Sequence, residues 1–121
     1  MDRILLTVFR QNVITRFEQS LHNLRGSGPV SDEEIGRLWL EENGRLFGKD
    51  VHMPSHYRWG WAYIPHIVHR PFYCYSYIFG NLLSLILHEN YLEQREGFLE
   101  GIIQLFNSGS SQAPLELLAE I

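Results

Sequence analysis

The sequence predicts an all-α protein, and three observations predict it. Apolar residues recur at steps of three and four, the spacing that lines one face of a helix. Ser, Pro and Gly stand where helices would start and stop. No two alternating apolar segments are joined by a tight Gly or Asn turn, so no β-hairpin is expected.

From Asp2 to Arg25, the residues Leu6, Phe9, Val13, Phe17, Leu21 and Leu24 define the first helix. Ile4, Leu5, Val8 and Ile14 widen that stripe beyond what one contact needs. Gly26-Ser-Gly-Pro29 ends the helix in a turn. A second helix starts at Ser31, with Glu34 three residues on as a capping box. Ile35, Leu38, Trp39, Leu46 and Phe47 form its apolar side, and Gly48 stops it. Asp50 to Tyr57 has no period and reads as a loop. Arg58 to Arg70 is ambiguous, because Pro65 argues against an uninterrupted helix. Pro71 suits the first turn of a third helix running to about Glu93. Its most apolar run, Tyr75 to Leu87, has thirteen residues. A membrane span needs about twenty, so a buried helix is expected there. Glu96 to Phe106 continues as a helix, Asn107 to Ser111 is a polar turn, and Pro114 opens a short last helix, Leu115 to Ile121.

A length of 121 residues implies one domain spanning 1–121. With 45% apolar and 20% charged residues, the composition excludes disorder and supplies a core. Ten cations against fourteen acids give a net charge of −4, which argues against a nucleic-acid partner. The opening MDRILLTVFRQ carries an acid and polar residues and does not read as a signal peptide. Cys74 is the only cysteine, so no internal disulfide forms. A cytoplasmic protein with no membrane partner is the expectation.

Nine of the sixteen aromatic residues lie between Tyr57 and Phe79, together with His66, His69, Arg58 and Arg70. No acid lies between Asp50 and Glu89. Hydrogen-bond donors on rigid rings suit carbonyl oxygens or a carboxylate on a ligand. The alternative is an aromatic core with polar tips at its rim. His52 and His56, or His66 and His69, could share a face, but no carboxylate or cysteine completes a metal set at a familiar spacing. His-Glu-x-x-His is absent and Pro54 interrupts the first pair, so no metal ligand is expected in this chain. Cys74, between two tyrosines, reads as a small buried thiol. On a helix, Tyr73 and Tyr77 share a face with Gly80, Ser84 and His88, a stripe that could line a cleft. Tyr75 aligns instead with Ile78, Leu82 and Leu85, which reads as core.

Trp61-Ala62-Tyr63-Ile64-Pro65-His66 and the run Phe72-Tyr73-Cys74-Tyr75-Ser76-Tyr77 resemble the C-terminal segment of oligoendopeptidase F and the thimet-oligopeptidase-like zinc metallopeptidases. TVFRQNVITRFE at Thr7 to Glu18 and the closing FNSGSSQAPLELL are similar to further segments of that family, in the same order. Cys74 and Ser76 stand where the family carries Val and Gln.

The resemblance implies a helical, bundle-like C-terminal portion of a larger metallopeptidase. The family's zinc ligands lie in His-Glu-x-x-His and a downstream glutamate, which would precede Met1. The resemblance thus implies zinc in the full-length enzyme, no cofactor in this chain, and no hydrolysis by this chain alone. It also implies an oligopeptide substrate, with His66 and Tyr75 as transition-state donors and Tyr73, Tyr77 and His69 as substrate contacts. Periodicity alone chooses Tyr73 and Tyr77 for the cleft. The second functional class is a non-catalytic helical binding or oligomerisation module. The wide apolar stripe of the first helix predicts a homodimer or larger assembly through that helix.

Overall fold

The computed structural model describes residues 2–94 and 96–119. They form helices and no strand: α1 (Asp2–Arg25), α2 (Asp32–Phe47), a 3-10 helix (Ser55–Tyr63), α3 (Pro65–His69), α4 (Tyr75–Gln94), α5 (Glu96–Ser108) and α6 (Pro114–Ala119). The all-α reading holds. The chain divides into two compact units between Gly80 and Asn81.

The first unit is built where α1 packs on α2 and α2 packs on the 3-10 helix. Its core joins Ile14, Phe17 and Leu21 of α1 to Trp39 of α2, Ile67 of α3 and Cys74. Phe17 meets Trp39 edge-on, with centroids 5.2 Å apart, and both rings are fully buried. The α2 boundaries follow the chemistry of its ends. The Glu34 N–H donates to Ser31 Oγ, and the Ser31 N–H donates back to Glu34 Oε2 at 2.9 Å. Gly48 closes the helix at φ 64, a conformation that favours glycine.

Gly60 lets the 3-10 helix cross Trp39. A Cβ there would lie 2.8 Å from Trp39 Nε1, too close for any other residue without a shift. The interior is also partly polar. Glu42 is buried and accepts from Arg16 Nε at 2.9 Å, Arg45 at 2.8 Å and Ser20 at 3.3 Å. Asn43 donates to the Trp39 carbonyl at 2.7 Å and accepts from Arg10 at 2.8 Å and the Tyr57 hydroxyl at 3.2 Å.

Two expectations are corrected. The third helix begins at Tyr75 rather than Pro71, because Phe72 takes a left-handed φ of 58 that no α-helix accommodates. The Tyr75–Leu87 run is helical but not buried: α4 has no buried residue, and Tyr75, Leu82 and Leu85 are exposed rather than core. The apolar stripe of α1 is covered at Val13, Phe17 and Leu21 but exposed at Leu6 and Phe9, since the packing on α2 leaves its first turns bare.

In the second unit α5 packs on α6, with Phe98 and Leu117 buried. The last helix starts at Pro114, as its sequence implies, and its expected end at Ile121 lies outside the described residues. Among the described residues no helix is long and apolar enough to cross a membrane.

Candidate functional site

His66 is the second residue of α3, a helix that Pro65 opens at its first position, where a missing N–H is harmless. The helix lasts five residues and ends as the Arg70 N–H closes on the His66 carbonyl at 2.9 Å. A turn follows, with the Tyr73 N–H bonded to the Arg70 carbonyl at 3.2 Å. Tyr73 therefore precedes α4 rather than belonging to it, and its carbonyl accepts from the Ser76 N–H and hydroxyl.

This turn brings three rings together. Tyr73 lies parallel to His66, with centroids 5.3 Å apart and planes 4° from parallel. Tyr77 stands edge-on to both, 6.3 Å from His66 and 5.4 Å from Tyr73. The Arg70 guanidinium lies 6.0 Å from the Tyr73 ring centre. Tyr73 and Tyr77 keep 39% and 37% of their surface exposed, so the cluster is a solvent-facing rim and not a sealed core. Tyr57 and Trp61, by contrast, pack against the core. The aromatic stretch thus divides between partly exposed rings and rings packed against the core.

Burial pushes the Tyr77 phenol above its ordinary value, and its hydrogen-bonded neighbour Tyr73 adds to the shift. The group is a neutral O–H donor at neutral pH. Of the other residues singled out, Tyr75 is 56% exposed at the first position of α4, and the ring neighbours of His66 are Tyr73 and Tyr77. His69 is exposed at the end of α3.

The stretch is acid-free in sequence but not in space. Glu18 of α1, fully buried, accepts the Phe72 N–H on Oε1 at 2.9 Å. Its charge and burial together push the Cys74 thiol upward, burial being the larger cause. Cys74 is 1% exposed, as a small buried thiol should be. The sequence does carry a signal for Glu18. It sits four residues after Ile14 and three before Leu21, an acid on the apolar face of its helix.

Arg10, Asn43 and Tyr57 form a second polar group that sequence reasoning missed, with the Arg10 guanidinium 5.1 Å from the Trp39 ring. A cleft of about 800 Å³ is a different place again. Leu21, His22, Arg25, Trp61, Ile67 and Pro71 line it, and it does not include His66, Tyr73 or Tyr77.

Among the described residues no group of three or more His, Cys, Asp or Glu side chains could hold a metal ion. The zinc implied by the resemblance therefore finds no fitting ligand set among them.

Residues 1–121 match the profile of peptidase family M3. The chain belongs to that family. It is 31% identical to "Oligoendopeptidase F, plasmid" of Lactococcus lactis subsp. cremoris over 125 aligned residues, covering 99% of this chain and 20% of that protein. It is 30% identical to an oligoendopeptidase F homolog of Lactococcus lactis subsp. lactis, again over 99% and 20%. The oligopeptidase PepF of Bacillus subtilis is 27% identical over 93% of this chain and 17% of its own length. The chain thus spans about a fifth of the length of the curated relatives it matches. No solved structure matches it significantly.

Proposed function

We propose that this chain is the peptide-gripping part of a zinc oligopeptidase, with Tyr73 and Tyr77 holding the substrate backbone and His66 beside them donating to the attacked carbonyl oxygen. The observation that carries this reading is the half-exposed stack of His66 on Tyr73 with Tyr77 edge-on. Tyr73 and Tyr77 share a hydrogen bond, which leaves the pair one phenol O–H that can donate, with the imidazole, to peptide carbonyls. A neutral donor strengthens its bond as negative charge grows on the attacked carbonyl oxygen, which lowers the barrier. Tyr75, exposed at the first position of α4, is the proposed second transition-state donor with His66, and His69 an outer contact. With no metal set among its described residues, the chain alone is proposed to bind oligopeptides without hydrolysing them.

The test is a segment swap. This chain replaces the matching fifth of an oligoendopeptidase F relative, and single variants are assayed on a quenched fluorescent peptide. His66→Ala and Tyr75→Phe should each lower kcat by about 10²–10³ with KM nearly unchanged, as loss of one oxyanion donor does. Tyr73→Phe and Tyr77→Phe should raise KM. Near-normal kinetics in all four would remove the reading.

A second reading concerns assembly. Leu5, Leu6 and Phe9 of α1 and Phe47 of α2 are exposed apolar residues around one shallow cleft. We propose that a second copy of the chain covers this patch when the chain stands alone, giving a homodimer through α1. Light scattering should show a dimer that Leu6→Glu with Phe9→Glu reduces to monomer. A monomer for the unaltered chain at high concentration refutes it.

A further inference from the structure

Phe72 is the non-glycine residue with positive φ among the described residues, and it lies directly before Tyr73. A side chain with a Cβ takes that conformation only when its surroundings hold it there. Two side chains of α1 do so. Glu18 Oε1 accepts the Phe72 N–H at 2.9 Å, and His22, one turn on, packs its ring on Phe72 with centroids 4.8 Å apart. Glu18 reaches the turn from 54 residues away in sequence.

Glu18 has no evident place in the core as a packing residue. It is fully buried among Ile14, Phe17 and Leu21, and its second oxygen, Oε2, is buried with no hydrogen-bond partner among the described residues. A buried carboxylate with one oxygen unpartnered is costly, and an apolar residue would fill the same space at less cost. What the carboxylate does that an apolar residue could not is accept the Phe72 N–H. Without that acceptor, Phe72 is free to return to negative φ, and the chain after it rotates. The residue that rotates first is Tyr73, whose ring lies within 4° of parallel to His66.

We propose that Glu18 is a positioning residue for the peptide-gripping cluster. Its bond to the Phe72 N–H locks the left-handed turn that lays Tyr73 flat on His66. Glu18 acts on the rings through the Phe72 N–H. The value of this assignment to function rests on the reading of His66 and Tyr73 as substrate contacts, but the geometry it predicts is measurable without substrate.

The test uses the whole 121-residue chain and nuclear magnetic resonance. Stacking on Tyr73 shifts the His66 ring protons upfield, and Tyr73→Leu supplies the unstacked baseline. Glu18→Gln keeps an acceptor oxygen and should keep the shift. Glu18→Leu should lose more than half of it while the Trp39 emission stays that of a buried indole. Phe72→Gly added to Glu18→Leu should recover it, because glycine takes positive φ without a Cβ penalty. Retention of the shift in Glu18→Leu, or its loss without recovery by Phe72→Gly, overturns the proposal. A second measurement needs no variant. The Phe72 amide of the unaltered chain should exchange about a hundredfold or more slower than an unprotected amide, and unprotected exchange overturns the proposal even if Glu18→Leu fails to fold. Because no step reads peptide, failure here leaves the functional reading standing. Failure of the segment swap leaves this geometry standing.

Discussion

Replacing Asn43 by alanine should destabilise the first unit by about 3–4 kcal/mol. Asn43 is fully buried and serves three partners at once: the Trp39 carbonyl, the Arg10 guanidinium and the Tyr57 hydroxyl. A neutral hydrogen bond contributes about 1 kcal/mol and one to a charged group about 1.5–3 kcal/mol. Arg10 is half-buried and can regain water, which holds the total toward the lower end. The alanine also leaves a small void against Trp39. Urea unfolding followed by tryptophan emission is the suitable assay, because Trp39, Trp59 and Trp61 all precede Gly80 and report the first unit alone. With a urea slope of about 1–3 kcal/mol per molar for small proteins, the midpoint should fall by about 1–4 M. Tyr57→Phe should cost about 2–3 kcal/mol, since it removes the bond to Asn43 and the one accepted from Arg10 while the Arg10–Asn43 bond survives. A double-mutant cycle between Arg10→Met and Asn43→Ala should give a coupling of about 1 kcal/mol or more. A loss below about 1 kcal/mol in Asn43→Ala, or additive effects in the cycle, would show that the three bonds contribute nothing to stability.

Three further outcomes follow from the packing and the titrations. Gly60→Ala pushes a Cβ to within 2.8 Å of Trp39 Nε1, and should cost about 1–3 kcal/mol with a red shift of the Trp39 emission. Cys74, with its thiol pushed up by burial and by Glu18, should react slowly with a disulfide reagent at neutral pH and fast in urea. Because the folded value is raised, the stability it contributes is present below the unfolded thiol pKa and lost as pH rises through the folded one. The urea midpoint should therefore fall more steeply above about pH 9 in the unaltered chain than in Cys74→Ala. Tyr77 should ionise above the ordinary tyrosine range in an ultraviolet titration; Tyr73→Phe should lower its pKa, and an unshifted phenol in the unaltered chain would count against the ring geometry.

Local signals were legible residue by residue. The Ser31 and Glu34 capping box, the stops at Gly26 and Gly48, and the start at Pro114 depend on groups within a few residues of each other, so their chemistry is complete in the sequence. The same holds for the α1 periodicity, which marks Val13, Phe17 and Leu21 for burial. Family membership was also legible, since the Ile64-Pro65-His66 segment and the tyrosine run carry it in order. The placement of the rings was not. Helical spacing put Tyr73 and Tyr77 on one face and they do meet, yet Tyr73 is not helical, because Glu18 captures the N–H two residues after Arg70 and turns Phe72 left-handed. Whether an apolar face is covered is equally a matter of partners: α4 and the first turns of α1 carry apolar residues that nothing in the described chain buries. Glu42 and Asn43 look like ordinary polar residues in sequence, Glu18 stands out only as an acid on an apolar face, and only tertiary contacts reveal the donors they accept from. A sequence specifies which groups are available over a helical turn. Which N–H a carboxylate meets from 54 residues away is decided by how α1 lies against the turn before α4, and that contact is made only when the chain folds.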